Sequence, residues 1–361
     1  MILLLGRGDA PTDAVADYVD HLAGAMRERD VSVAVARVPW SSGPLARWGW
    51  LWGASRRWRD RWVVVQYTAL GWSKRGFPLD VLAVLVVLRL RGCRVAVTYH
   101  DSAPFPPRPN VPLALRVVDV VRRWSQRTVT QLCRRGAQLS VHTAPISRAA
   151  PAPPVHSHVV IPVGSNIFAA GGVEAPQTLS DTRTVAVFSV TGGAALRSEA
   201  EEIAEVVTVA AAGKALRLLL LGRNAIEAGP YVRARLHDTN VELEVHGVLS
   251  ASDVRQRLSG ADVLLFVRGQ VSSRRGSAIA AISCGVPVVG YSGSDTGPPL
   301  TDAGVITVLS GQRQALASAL ADVLNDVLLR TRLRELNADV YARHFAWDVI
   351  ADCYLNALRN A

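Results

Sequence analysis

The sequence predicts an α/β protein of two Rossmann-like domains facing each other across a cleft. Three observations predict it. The chain has 361 residues, too long for one ordinary core and about right for two. Short apolar, β-branched runs recur, each followed by a helix-like stretch, the pattern of parallel sheets with crossover helices. A break rich in Pro and Gly, Ala149–Pro154 and Gly164–Gly172, separates two halves that each repeat the scheme.

In the first half the expected strands are Ile2–Leu5, Val31–Val38, Trp62–Tyr67, Arg94–Tyr99, Gln138–His142 and His158–Val163. A helix is expected over Asp13–Arg27, with Thr12 as its N-cap and Val15, Val19, Leu22 and Met26 at helical spacing. The run Leu79–Leu90 falls short of the roughly 20 apolar residues a spanning helix needs and reads as a buried helix. In the second half the strands are Thr184–Val190, Leu216–Leu221, Val241–Val245, Val263–Val267, Val286–Tyr291 and Val305–Leu309. Helices fit Glu199–Ala212, Ser252–Leu258, Ser277–Ser283 and Gln314–Leu328, with Ser252-Asp253 as a start signal. The domains are then residues 1–163, joined by a last helix at 346–361, and residues 164–345, with Ile161-Pro162-Val163-Gly164-Ser165-Asn166 as the hinge.

Composition narrows the function. Apolar residues make up 49%, which excludes wholesale disorder. The start, Met1–Leu5 and then Gly6-Arg7-Gly8-Asp9, reads as a first buried strand and not a signal peptide. The four cysteines (Cys93, Cys133, Cys284, Cys353) are dispersed, which argues against disulfides or a zinc site and fits a reducing cytoplasm. His156 and His158 sit beside prolines in what reads as a solvated loop, so no metal site is expected. Charge is lopsided: residues 1–163 carry 22 Lys and Arg against 10 Asp and Glu, residues 164–361 carry 18 against 20. The basic half also holds eight of the nine tryptophans, which suggests an anionic partner. No nucleic-acid recognition motif accompanies it, so nucleic acid is not expected.

In open parallel sheets, ligands bind beyond the carboxyl ends of strands, where helix N-termini offer N–H groups to phosphates. The strongest such junction is Val271-Ser272-Ser273-Arg274-Arg275-Gly276-Ser277: small residues let backbone approach an anion, and two arginines supply forked donors for a diphosphate. Arg223 and Asn224 follow the strand Leu216–Leu221, and Arg197 follows the loop Thr191-Gly192-Gly193. In the first half, His100 and Asp101 end a strand, suited to binding sugar hydroxyls or moving a proton. Gly8 and Asp9 lie in the first loop, which lacks the third glycine of a dinucleotide fingerprint. The absence of any Asp-x-Asp triplet weighs against a metal-chelated nucleotide sugar. Trp48, Trp50, Trp52 and Trp58 lie among arginines, with Arg56 and Arg57, in a segment suited to a membrane interface or to stacking on an acceptor; an amphipathic helix with core tryptophans is the other reading.

These motifs resemble the retaining GT-B glycosyltransferases of family 4. The resemblance rests on Ala261-Asp262-Val263-Leu264-Leu265, on Cys284-Gly285-Val286-Pro287-Val288-Val289-Gly290 and on Asp302-Ala303-Gly304-Val305. It extends to Tyr341-Ala342-Arg343-His344-Phe345-Ala346-Trp347-Asp348 and to the hinge. It implies a nucleotide-diphosphate sugar held by the second domain and an acceptor held by the first. It also implies transfer with retention, without a metal, and with no cofactor besides the nucleotide sugar as co-substrate. His100, Asp101 and Ser272 would serve at the sugar; Gly8, Asp9, Arg197, Arg223, Asn224, Ser273, Arg274, Arg275, Gly276 and Ser277 would hold the donor. The family's Glu-x7-Glu pair falls here on Ser272 and Ala280. Two expectations follow: a hexosyltransferase-type enzyme acting on a small molecule or lipid-linked glycan, cytoplasmic and peripheral to an anionic inner membrane face, or a catalytically inactive nucleotide-binding partner subunit.

Overall fold

Runs as apolar as Val63–Val65 and Val95–Val97 fit only inside a parallel sheet covered on both faces, and that is where they lie. A computed structural model describes residues 1–8, 13–101, 104–105, 112–145, 157–167 and 182–361. The chain divides into two units, Met1–Pro162 with Trp347–Ala361, and Val163–Ala346.

The first unit runs β1 (Ile2–Leu5), α1 (Ala14–Arg27), β2 (Ala34–Arg37), α2 (Pro44–Ala54), β3 (Trp62–Tyr67), α3 (Asp80–Leu90), β4 (Arg94–Tyr99), α4 (Leu113–Gly136), β5 (Leu139–His142) and β6 (Ser157–Val160). The strands form one parallel sheet in the order β2-β1-β3-β4-β5-β6. Alternation sends Ile2, Leu4, Val63, Val65, Val95 and Val97 to one face, where they pack with α2, α3 and α4. Asp13 caps α1, its Oδ1 accepting from the Ala16 amide at 3.1 Å.

The second unit runs β7 (Arg183–Phe188), α5 (Leu196–Ala211), β8 (Leu216–Leu221), α6 (Ala225–Leu236), β9 (Val241–Val245), α7 (Ala251–Ser259), β10 (Val263–Gln270), α8 (Gly276–Ser283), β11 (Val288–Ser292), β12 (Val305–Leu309), α9 (Arg313–Asn325) and α10 (Val327–Val340). Its parallel sheet is ordered β12-β11-β10-β7-β8-β9, the dinucleotide-binding order with its reversal between β7 and β10. After a π-turn at Tyr341–Phe345 comes α11 (Trp347–Asn360), which packs on α1 in the first unit. There the Tyr18 hydroxyl donates to the Tyr354 hydroxyl at 2.8 Å, and Thr98 Oγ1 lies 2.9 Å from the same oxygen.

Several boundaries differ from expectation. β2 is shorter than Val31–Val38, β6 ends at Val160, and α5 begins at Leu196. The expected helix Gln314–Leu328 breaks at Asp326, which ends α9 and caps α10 by accepting from the Leu329 amide at 2.9 Å. Ser250 and not Ser252 caps α7, accepting from the Asp253 amide. Thr12 lies outside the described residues. The helices α4, α6 and α10 were absent from the sequence expectation.

Candidate functional site

The reversal point of the second sheet is built by two interlocked loops. Ser189 and Asn224 both have left-handed backbone (φ 69° and 59°), as does Gly222 (φ 85°). A Cβ at Gly222 would lie 2.8 Å from the Phe188 ring and 2.9 Å from Ser189 Oγ, so glycine is required there. The amides of Ser189 and Val190 donate to the carbonyls of Leu221 (2.6 Å) and Arg223 (3.0 Å). Asn224 Nδ2 donates back to the Val190 carbonyl at 2.8 Å. Asn224, expected to hold the donor, thus spends its amide on tying the loops together. The effect is a fixed backbone for Arg223, which is half-buried.

Beside these loops, β10 extends beyond the expected Val267 to Gln270. Its pairing with β11 jumps from Phe266–Gly290 to Gln270–Tyr291, so Val267, Arg268 and Gly269 bulge out of the ladder. Gly269 has φ +72°. The bulge holds Arg268, which lies within electrostatic reach of Glu199 and Arg223. Its pKa is pulled below the ordinary arginine value by burial; Glu199 opposes that shift, and the nearby Arg223 adds to it. Its Nε is buried without a hydrogen-bond partner. Glu199, itself buried, accepts from the Thr191 amide at 2.9 Å. Arg268 therefore meets a carboxylate and a second cation, Arg223, which follows β8 on the far side of β7. Arg268 was not expected from sequence; Gly269, after a cation at the end of an apolar run, was the available signal.

The junction before α8 divides in its roles. Arg275 is the N-cap of α8, with no side-chain cap of its own, and its guanidinium reaches the turn at Gly269. Gly276 and Ser277 open the helix there. Arg274 instead donates through Nε and Nη2 to Asp295 Oδ2, at 3.1 and 2.9 Å. Ser272 and Ser273 are fully buried, and the Ser273 carbonyl accepts from the Val163 amide at 3.0 Å. Ser272 was expected to meet a sugar, but burial leaves its hydroxyl without a partner. Arg197 lies on the outer side of α5, bonded to Glu201 at 3.0 Å and facing the Tyr231 ring. Among the described residues, no group of three or more His, Cys, Asp or Glu is placed to hold a metal ion.

In the first unit, β1 and β3 flank the reversal of strand order. The Arg7 amide donates to the Gly71 carbonyl at 2.6 Å, holding the first loop against the β3 loop. Gly8 is exposed at that loop, beside Arg37 and Asp13, which form a salt bridge at 3.0 Å. Asp9 lies outside the described residues. His100 Nε2 is 2.9 Å from Gln66 Oε1, and its ring meets Tyr18 edge-on at 4.9 Å. Burial lowers its pKa to about 4, against the pull of Asp13, so the imidazole is neutral at pH 7. Asp101 is half-buried next to it in sequence.

The Trp/Arg segment forms α2 and a following 3-10 turn, Ser55–Trp58. Trp48, Trp50 and Trp58 are half-buried, each with part of its ring packed against the core. Trp52 is exposed under the Arg91 guanidinium, 3.6 Å from its ring centroid, and Arg56 and Arg57 are exposed.

No family model matches the chain, and no curated protein matches it. Solved structures do. It is similar to sucrose-phosphate synthase from Thermosynechococcus elongatus, with a TM-score of 0.67 and 18% identity over 99% of this chain and 98% of that one. It is similar to HepE from Anabaena, solved in complex with UDP and glucose, with a TM-score of 0.65 and 13% identity over 100% of this chain and 99% of that one. A glycosyltransferase from Rickettsia africae gives a TM-score of 0.64 at 11% identity, over 100% and 99%. The fold is GT-B. Within this GT-B fold, Arg268 and Arg223 lie near one another where the second sheet reverses its strand order. No helix among the described residues is long and apolar enough to cross a membrane.

Proposed function

We propose that the chain is a glycosyltransferase that moves a sugar from a nucleotide-diphosphate sugar to an acceptor hydroxyl. The observation that carries this reading is Arg268, which lies near both Arg223 and Glu199 at the reversal point of the second sheet. Two half-buried cations close enough to repel give a site that gains by receiving an anion. A diphosphate oxygen would supply the partner that Arg268 lacks. The fold of HepE, which binds UDP and glucose, supports the same ligand class.

The geometry supports a division of roles. Negative charge grows on the diphosphate as it leaves the sugar, and cations already fixed in place lower that barrier without reorganising. Arg223 and Arg268 hold the phosphates, with Arg275 and the first amides of α8 completing the cradle. Arg268 takes the part expected of Arg274, which Asp295 neutralises. These cations serve in place of a metal, a phosphate oxygen takes the acceptor's proton, and the sugar keeps its configuration. Neutral His100, held by Gln66, meets a sugar hydroxyl as a hydrogen-bond partner, with Asp101 beside it.

Calorimetric titration with UDP and GDP, followed by a turnover screen of their sugars, tests the proposal. Loss of one charge-assisted contact weakens binding about ten- to a hundredfold, so Arg268→Ala should lower affinity by that much. Unchanged affinity refutes the assignment. Binding without turnover of any sugar favours a nucleotide-binding partner subunit, a reading supported by Ser272 and Ala280, both buried and neither acidic.

A further inference from the structure

The helical layer α2, α3 and α4 of the first unit turns three apolar stripes away from its sheet. On α4, Leu113, Val117, Val120 and Trp124 are 77, 56, 65 and 66% exposed. Their spacing keeps them on one side of the helix, opposite Gln126, Val129 and Cys133, which are buried. On α3, Leu79 at its start, Val86 and Leu90 follow the same spacing and are exposed. On α2, Leu45 and Trp52 do likewise. The helices are neighbours, α2 against α3 and α3 against α4. A groove of ≈ 710 Å³ between α2 and α3 is lined by Trp48, Gly49, Trp52, Ala83, Val86 and Val87. One exposed leucine needs no explanation, but aligned stripes on three adjacent helices mark an interaction surface.

Charge identifies the partner. At helical spacing Arg116, Arg123 and Arg127 fall along one flank of the α4 stripe. Between positions 44 and 136 the chain carries seventeen Lys or Arg, four Asp and no Glu. Of those acids, Asp80 pairs with Arg47 and Asp119 with Arg122. A second copy docked on this face would set arginines against arginines, which opposes self-association. An anionic lipid surface offers acyl chains to the stripes and phosphates to the flank.

We propose that this layer docks on an anionic bilayer, with α4 lying in the interface. The proposal stands apart from the transferase reading, because its test contains no nucleotide sugar. The full chain is sedimented at low salt with vesicles of phosphatidylcholine alone or with one third phosphatidylglycerol. It should pellet with the anionic vesicles and stay largely in solution with the neutral ones. Replacing Val117, Val120 and Trp124 together by Glu should weaken binding about tenfold or more, since both apolar burial and attraction are lost. Arg123→Glu with Arg127→Glu should remove the preference for phosphatidylglycerol. Circular dichroism checks the fold of each variant; if the triple variant misfolds, Leu113→Glu and Trp52→Glu carry the test singly. A native chain that stays in solution, or apolar-to-Glu variants that pellet like it, overturns the proposal. So does a native dimer, indifferent to lipid, that the triple variant splits, or capture only by an acidic protein.

Discussion

Arg274 and Asp295 form a salt bridge through one carboxylate oxygen, with the guanidinium Nε at 3.1 Å and Nη2 at 2.9 Å. The Asp295 side chain is 4% exposed. The same loop is latched to β10: Gln270 Oε1 accepts from the Asp295 amide, and Thr296 Oγ1 donates to the Val271 carbonyl. Removing the arginine leaves a carboxylate buried without its counter-charge. Arg274→Ala should therefore destabilise the second unit by about 3 kcal/mol, the low end for a broken buried pair because this arginine is partly exposed. Urea unfolding measures it. Nucleoside diphosphate affinity should stay close to native, and Arg274→Ala with Asp295→Ala should recover most of the lost stability.

Arg268 should behave in the opposite way. Burial and the neighbouring Arg223 both disfavour its charge, and only Glu199 favours it. Without ligand, Arg268→Met relieves repulsion, so the melting temperature should hold steady or rise. With UDP present, the native protein gains stability by mass action and the variant gains much less. Parallel thermal melts, with and without the nucleotide, make the comparison. A variant stabilised by UDP as strongly as the native chain would remove Arg268 from the site.

The contrast between these two arginines shows what sequence could reveal. Strands were legible because runs such as Trp62–Tyr67 and Leu216–Leu221 are apolar and bounded by polar turns. The fold class also points to the strand ends as the place where a ligand would sit. Which arginines an acid neutralises was not legible. Arg274 is claimed by an aspartate 21 positions later, a pairing no local pattern announces. Arg268 sits in a bulge, which the strand pattern of Val263–Val267 conceals. Pro230 hid α6, since a proline reads as a breaker, yet the helix continues through it. The α4 helix was hidden because its apolar residues occupy two opposite faces, which blurs the single-sided periodicity a buried helix shows.

The first loop of the first unit depends on close backbone contact. A Cβ at Gly6 would lie 2.2 Å from the Gly71 carbonyl oxygen, and backbone there has no room to yield. At Gly8 the nearest atoms, 3.0 and 3.4 Å away, belong to the side chains of Arg37 and Asp13. Gly6→Ala should destabilise by about 2 kcal/mol or more, as overpacking does, while Gly8→Ala should stay within about 0.5 kcal/mol. Denaturant midpoints of the two variants decide the matter; equal effects would contradict the contact.

Acid should unfold the first unit through its buried imidazoles. His142 is fully buried and stacked on Tyr99, with ring centroids 4.8 Å apart. Burial first, then Arg134 and His158, lower its pKa to about 3, as burial lowers that of His100 to about 4. In the unfolded chain both titrate near 6.5. Above that pH neither state binds the protons and the histidines leave stability unchanged. As pH falls below about 6.5 the unfolded state takes up protons that the folded state refuses, so stability drops, by about 1.4 kcal/mol per pH unit for each histidine. The loss levels off only below the folded values, near 4 for His100 and 3 for His142. His142→Phe keeps the ring stacked on Tyr99 and removes one of the two titrations. Urea midpoints of the native chain should fall steeply between pH 7 and pH 4, and those of the variant should fall less. Identical slopes would mean that His142 takes up its proton in the folded protein as readily as in the unfolded chain, against the burial that surrounds it.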